Sequence, residues 1–157
     1  MKDYPGKLKV VYKYFVVHQA AVVPGMAACA AQQQGKFAAM QKLIWEKGFA
    51  EGELGTDRME ELATQAGLDM AQYKKDMAGE ECMDWLKRDY QELSALGVNG
   101  TPTFYINGRY LSGIQPIEVY KALIDEELAK AEKAIQGGVK VEDYYTKVVL
   151  DKGKDSL

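Results

Sequence analysis

The order of hydrophobic periods along the 157-residue chain predicts an α/β fold, a sheet with a helical block inserted between its strands. A run of β-branched and aromatic residues comes first, several helical segments follow, and a β-hairpin with a long amphipathic helix comes last. We expect one domain over residues 1–136, with the helical block at about residues 20–96. Residues 137–157 would form a C-terminal tail with a short helix over Val141–Leu150.

The first predicted strand is Leu8–Val17, LKVVYKYFVV. Its β-branched and aromatic residues show little alternation, which is typical of a strand buried on both faces of a parallel sheet. The next segment, Pro24–Lys47, is rich in Ala, Met and Gln and is interrupted by Gly35. This composition predicts two short helices or one kinked helix.

Three more helices are expected before the second strand. Thr56 is a suitable N-cap for a helix that ends before Gly67, and Asp69 is a suitable N-cap for a helix over Met70–Met77. The segment Glu80–Leu96 carries its apolar residues on one side, as an amphipathic helix does.

The hydrophobic pattern then changes from the helical period to that of short β-strands. Short strands over Thr103–Ile106 and Arg109–Ile114 are joined by Asn107-Gly108, and this dipeptide favours a type I′ turn because both positions need a positive φ. Pro116 is expected at the first position of a long, one-sided helix, which the pair Gly137-Gly138 would end.

Charge and composition exclude several classes of protein. The chain has 20 Lys and Arg against 23 Asp and Glu, interspersed, so it lacks the basic face that nucleic-acid binding needs. No apolar run reaches the roughly 20 residues of a membrane span. The first residues carry no apolar signal segment, so an exported chain would need an upstream leader. Two distant cysteines and one histidine cannot supply a four-ligand zinc site, and we expect no metal.

A proline directly before a strand is unusual, because proline lacks the N–H that a central strand donates. Pro102 lies in such a place, within GVNGTPTFYINGRYLSGIQPIEVYKALIDEEL. That segment resembles the C-terminal half of the DsbA-like branch of the thioredoxin superfamily. The segment QGKFA at residues 34–38 is similar to a QGKFW-like segment of the same family. The resemblance covers residues 2–135 and is most specific over Gly100–Gly113.

The resemblance implies a thiol:disulfide oxidoreductase that oxidises or isomerises cysteine-containing polypeptides in the periplasm or cell envelope, without a cofactor. It also implies that the bond before Pro102 is cis and that the backbone of Thr101 binds an extended substrate strand. From local sequence alone, Pro102 could equally be an ordinary trans residue at the start of a strand.

The chain lacks the Cys-X-X-Cys motif of that family, and the segment MKDYPG matches only the end of the family's first helix. The first strand and most of the first helix would therefore lie upstream, or never existed. We expect no catalytic residue in this chain and no activity from it alone. Without that strand, two strand edges of the sheet would stay unpaired. We therefore expect an altered pairing: direct contact of the flanking strands, a strand from a second chain, or a swapped dimer.

Two explanations stay open at this point. The chain is a fragment of a longer oxidoreductase, or it is a natural variant that retains the scaffold as a non-catalytic peptide-binding or dimerisation module. An in-frame Cys-X-X-Cys codon pattern upstream would decide between them.

The two cysteines, Cys29 and Cys82, lie in the predicted helical block. Three alternatives stay open for them: a structural disulfide, two buried free thiols, or a redox pair. A redox pair requires an exposed, electropositive site. The large aromatic residues of the block, Trp45, Phe49 and Trp85, are expected in its core, with a minority lining a groove for unfolded substrates.

Overall fold

A computed structural model describes residues 2–150. These residues form two compact units. Residues 12–98 make up the helical unit, and residues 2–11 together with residues 99–150 make up the hairpin unit. The first contains five α-helices, and the second contains a two-stranded sheet and two α-helices. The described chain is therefore mainly helical, with a small sheet, as an α/β fold with a large helical block would be.

The helices of the helical unit are arranged around the first of them. They are α1 Val22–Gln33, α2 Phe37–Leu43, α3 Thr56–Gln65, α4 Met70–Ala78 and α5 Glu81–Ala95. A short 3₁₀-helix, Gln19–Ala21, precedes α1, and a π-helical segment, Ile44–Phe49, continues α2. Helix α1 contacts all four of the other α-helices. The predicted break at Gly35 is confirmed, since this residue has a φ of 69° between α1 and α2.

Small side chains allow α1 to serve as the central helix. Residues 27–31, AACAA, are all buried, so the neighbouring helices approach its backbone closely. A Cβ atom on Gly25 would lie 2.9 Å from Cδ2 of Leu86 on α5, so any larger residue would displace this leucine side chain. The main core then consists of the four alanines of this stretch, Ala63, and larger side chains: Met40, Ile44, Met59, Leu62, Leu68 and Tyr73.

The helix caps of the helical unit follow the sequence signals with one correction. The Asp69 carboxylate accepts hydrogen bonds from the N–H groups of Ala71 and Gln72, at 2.9 and 3.0 Å, and so caps α4 as predicted. Thr56 is not an N-cap: Gly55 holds that position, because its carbonyl already accepts the N–H of Met59 at 3.0 Å. The helix therefore begins one residue earlier than expected.

The prediction of a buried strand over Leu8–Val17 is wrong. Val10, Val11, Tyr12 and Val17 are exposed, and within residues 2–150 the segment makes no backbone–backbone hydrogen bond to another strand. Strand propensity reflects side-chain packing on a paired sheet, so a β-rich run without a ladder partner does not become a strand. Among residues 2–150 the sheet consists of two hairpin strands alone, so direct pairing with this segment, one of the three alternatives above, is not seen.

The hairpin was predicted closely. Strand β1, Thr103–Ile106, pairs antiparallel with β2, Arg109–Ser112, with Thr103 opposite Ser112 and Ile106 opposite Arg109. Asn107 and Gly108 have φ values of 48° and 90°, which confirms the turn. The second strand ends at Ser112 rather than Ile114.

The C-terminal part of the hairpin unit is helical. Helix α6 spans Ile117–Gln136, with Pro116 as its N-cap residue rather than its first helical residue. Gly138, with a φ of 100°, follows its end, and α7, Val141–Tyr144, leads into a π-helical segment over Tyr145–Leu150. The predicted short helix over Val141–Leu150 is thus α-helical only in its first four residues. The remainder of the predicted tail, residues 151–157, lies outside the described residues.

Candidate functional site

The two residues predicted to bind substrate, Thr101 and Pro102, lie in a loop directly before β1. Both are exposed, and the peptide bond between them is cis. The Thr103 hydroxyl donates to the Gly100 carbonyl at 2.7 Å, and the N–H of Gly113 donates to the Pro102 carbonyl at 2.9 Å. The loop is therefore fixed by one hydrogen bond across it, between Thr103 and Gly100, and by a second one to Gly113 at the end of the hairpin.

The backbone of Thr101 remains available between these two anchors. Across residues 2–150 its N–H and C=O make no hydrogen bond, and the residue is exposed to solvent. Apolar side chains flank the loop: Phe104 follows in β1, and Ile114, which is 86% exposed, follows the Gly113 that bonds to Pro102. A free donor and acceptor beside exposed apolar surface can pair with an extended polypeptide backbone.

The structure brings the two cysteines together in the helical unit. Cys29 on α1 and Cys82 on α5 form a disulfide with a Cα–Cα distance of 5.7 Å, and both are fully buried. Around them lie Leu86 and the half-buried Trp85 and Tyr14. A bonded pair inside an apolar cluster offers no exposed thiolate, so its geometry suits a structural disulfide.

A comparison with known protein families decides the classification. The model of the DSBA-like thioredoxin domain matches residues 12–125. The chain belongs to this family. The match includes both the Thr101–Pro102 loop and the helical block, so it supports the resemblance that the sequence motifs indicated.

Curated relatives of this DSBA-like domain are much longer proteins. The chain is 30% identical over 122 residues to "Na(+)/H(+) antiporter NhaA 3" of Salinispora tropica, which covers 78% of this chain and 18% of the relative. It is 31% identical over 113 residues to "Na(+)/H(+) antiporter NhaA 1" of Salinispora arenicola, covering 72% of the chain and 17% of that protein. The chain thus spans less than a fifth of these relatives. No solved structure matches.

The described part of the DSBA-like domain has no helix that combines the length and apolarity needed to cross a bilayer. Within the same residues, no three side chains of His, Cys, Asp or Glu are grouped as metal ligands.

A buried carboxylate on α5 is a feature that the sequence reasoning missed. Asp89 is fully buried, accepts a hydrogen bond from the Lys13 ammonium at 2.6 Å, and accepts another from the Tyr14 N–H at 2.9 Å. The hydrogen bond to Asp89 raises the pKa of Lys13, and burial raises the pKa of Tyr14 to about 12. The signal was present, because Asp89 continues the buried row of Cys82 and Leu86 along the helix.

A second buried carboxylate anchors the hairpin unit. Glu127 on α6 is 6% exposed, lies 2.6 Å from the Lys130 ammonium and 3.7 Å from the Arg109 guanidinium. Arg109 also pairs with Glu126, and this hydrogen bond raises the pKa of the arginine further. The first residue of β2 is thereby attached to the middle of α6.

The expected core position is wrong for two of the three large aromatic residues. Trp45 and Phe49 are 60% and 39% exposed, and their rings stack on each other with centroids 4.6 Å apart. Both lie in the π-helical segment, where hydrogen bonds between residues i and i+5 widen the turn and shift side chains away from the face predicted for an α-helix. Trp85 is half-buried beside the disulfide, as expected of a core residue.

Proposed function

We propose that this chain is the polypeptide-binding domain of a thiol:disulfide oxidoreductase of the bacterial cell envelope. One observation carries the proposal: Thr101 presents an unpaired backbone N–H and C=O, within the described residues, on an exposed loop fixed on both sides. Membership of the DSBA-like family supplies the chemical class of the ligand, a polypeptide that contains cysteine.

Binding at this loop would use the backbone of the ligand. An extended polypeptide that lies along Thr101 accepts one hydrogen bond and donates another, as in strand addition at a sheet edge. The exposed side chains of Phe104 and Ile114 would then contact apolar residues of the same ligand. Backbone recognition is independent of sequence, which suits a protein that handles many unfolded chains.

The Cys29–Cys82 disulfide has a structural role in this proposal. Both sulfur atoms are buried and bonded to each other, and they lie in the helical unit. A thiolate for disulfide exchange would come from cysteines other than these two.

A labelled peptide tests the binding role. The probe is a fluorescein-labelled, unstructured peptide with a central cysteine, and a version with serine in its place shows whether the thiol matters. We expect both to bind, and we expect the bound probe to slow hydrogen exchange at the Thr101 amide. Thr101→Ala keeps the backbone groups and should retain the affinity. The proposal is wrong if the probe does not bind, or if it binds without protecting that amide.

Alkylation of the denatured protein tests the role of the cysteines. Intact mass without reductant should show no added label, because the two thiols are bonded. A variant with Cys29→Ser and Cys82→Ser should still bind the probe. Insulin reduction that requires either cysteine would contradict a purely structural role.

A second candidate function, a non-catalytic dimerisation module, is favoured by the unpaired segment Leu8–Val17. Its exposed β-forming side chains and its lack of backbone pairing within residues 2–150 are suited to strand pairing with a second copy. Sedimentation at increasing concentration would show a dimer. Val11→Pro, which removes one backbone donor, should then weaken the dimer, and Val11→Thr should not.

A further inference from the structure

The Tyr120 hydroxyl makes two hydrogen bonds to the chain that connects the hairpin to α6. This half-buried residue lies in the first turn of the helix. Its oxygen accepts the N–H of Gln115 at 3.1 Å and donates to the carbonyl of Gly113 at 3.3 Å. One side chain therefore fixes two backbone groups of the turn after β2.

That turn holds the Thr101–Pro102 loop directly. The N–H of Gly113 donates to the Pro102 carbonyl at 2.9 Å. Gly113 has a φ of 74°, a conformation that residues other than glycine rarely adopt, so the turn is set locally as well. Gly113 therefore accepts a hydrogen bond from Tyr120 and donates one to Pro102, which connects Tyr120 to the loop.

The ring of Tyr120 contacts the other side of the loop. It lies edge-on to the ring of Phe104, with centroids 5.0 Å apart and an interplanar angle of 72°. Phe104 is the second residue of β1, and only Thr103 separates it from Pro102. The ring of Tyr120 thus contacts the strand that follows the loop. Its hydroxyl binds Gly113, which in turn donates to Pro102.

We propose that Tyr120 is a positioning residue for polypeptide binding, which sets the orientation of the Thr101 backbone through Gly113 and Pro102. This inference rests on the proposed function of the loop. A loop that is already held in its binding orientation loses less entropy when the ligand binds, and the affinity is higher for that reason. Phenylalanine could supply the ring contact, but only a hydroxyl can bond both Gln115 and Gly113.

A pair of tyrosine variants tests the inference. Tyr120→Phe removes the hydroxyl and keeps the ring. The matched control is Tyr4→Phe, because Tyr4 also lies in the hairpin unit and its hydroxyl bonds to α6, to Asp125 at 2.9 Å, rather than to the turn after β2. The readouts are the affinity for the fluorescein-labelled cysteine peptide, the amide resonances of Thr101 and Thr103, and the unfolding temperature.

We expect Tyr120→Phe to weaken peptide binding by roughly three- to tenfold, the range for losing one or two neutral hydrogen bonds. The resonances of Thr101 and Thr103 should move, and Tyr4→Phe should leave both readouts as in the unsubstituted protein. The inference is overturned if Tyr120→Phe changes neither readout. It is also overturned if resonance changes spread evenly over the hairpin unit, which would indicate a merely structural role.

Failure of the proposed function would be recognised separately. If the unsubstituted protein does not bind the peptide, the proposed function is wrong, and the amide resonances alone then decide whether Tyr120 orients the loop.

Discussion

The two units of this domain differ in how their apolar side chains are placed. Among the described residues, every buried apolar side chain except Val149 belongs to the helical unit. In the hairpin unit Phe104, Ile114 and Ile117 are exposed, and its most buried charged residue among those described is the ion-paired Glu127. The helical unit also contains the disulfide and the fully buried Asp89.

This difference separates stability from recognition. Burial of apolar surface and a covalent cross-link favour one rigid arrangement of the five helices. The hairpin unit is held by hydrogen bonds and ion pairs at specific points, and it leaves apolar side chains and backbone groups accessible beside Thr101. A binding loop needs such accessible groups, whereas a core excludes them. The two units should therefore respond separately to substitutions.

Loss of the disulfide should have the largest effect. The bond joins residues that are 53 apart, and removing it with Cys29→Ala and Cys82→Ala should lower the free energy of unfolding of the helical unit by about 4 kcal/mol. Hydrogen exchange would show the loss at amides of α1 and α5. An equal loss of protection in β1 and β2 would contradict the distinction between the units.

Removal of the buried Asp89 carboxylate should have the next largest effect. Asp89→Ala leaves the Tyr14 N–H and the Lys13 ammonium without this partner, and we expect a loss of about 2 to 3 kcal/mol in urea unfolding. Glu92→Gln is the matched control, because Glu92 pairs with the same lysine at an exposed position. That variant should change stability by less than about 1 kcal/mol. Similar losses in the two variants would show that burial of Asp89 is unimportant.

Alkaline pH should weaken the helical unit further. Burial raises the pKa of both Tyr14 and Tyr73 to about 12, from an ordinary value of 10.0. Between these values the unfolded chain loses the phenolic protons and the folded chain keeps them, so stability is full below pH 10 and falls as the pH rises towards 12. Circular dichroism during a pH titration would measure this, and Tyr14→Phe should reduce the dependence on pH. A helical signal that is unchanged at pH 12 would contradict the prediction.

The hairpin turn should give the smallest effect, confined to the hairpin unit. Gly108 has a φ of 90°, so Gly108→Ala should cost about 1 kcal/mol and speed amide exchange in β1 and β2. Asn107→Gly, in the same turn, tolerates the positive φ and should stay within about 0.5 kcal/mol of the original stability. Faster exchange in α1 or α5 would show that the units are not separate.

The sequence alone determined the local features of this domain. The turn at Asn107-Gly108, the cap at Asp69, the break at Gly35 and the limits of α5 and α6 all depend on residues within a few positions of each other. Short-range sterics and hydrogen bonding decide such features, so the chain carries their signals directly. The motif around Thr101 and Pro102 likewise indicated the family that the comparison later matched.

Only the tertiary structure decided which distant residues meet. The bond between Cys29 and Cys82 was one of three alternatives from sequence, and the contact of Asp89 with Lys13 was not foreseen. The exposure of Trp45 and the unpaired segment Leu8–Val17 contradicted the expectations drawn from hydrophobicity. Burial and strand pairing require a partner surface that lies far away in sequence, so a residue's own chemistry does not determine them.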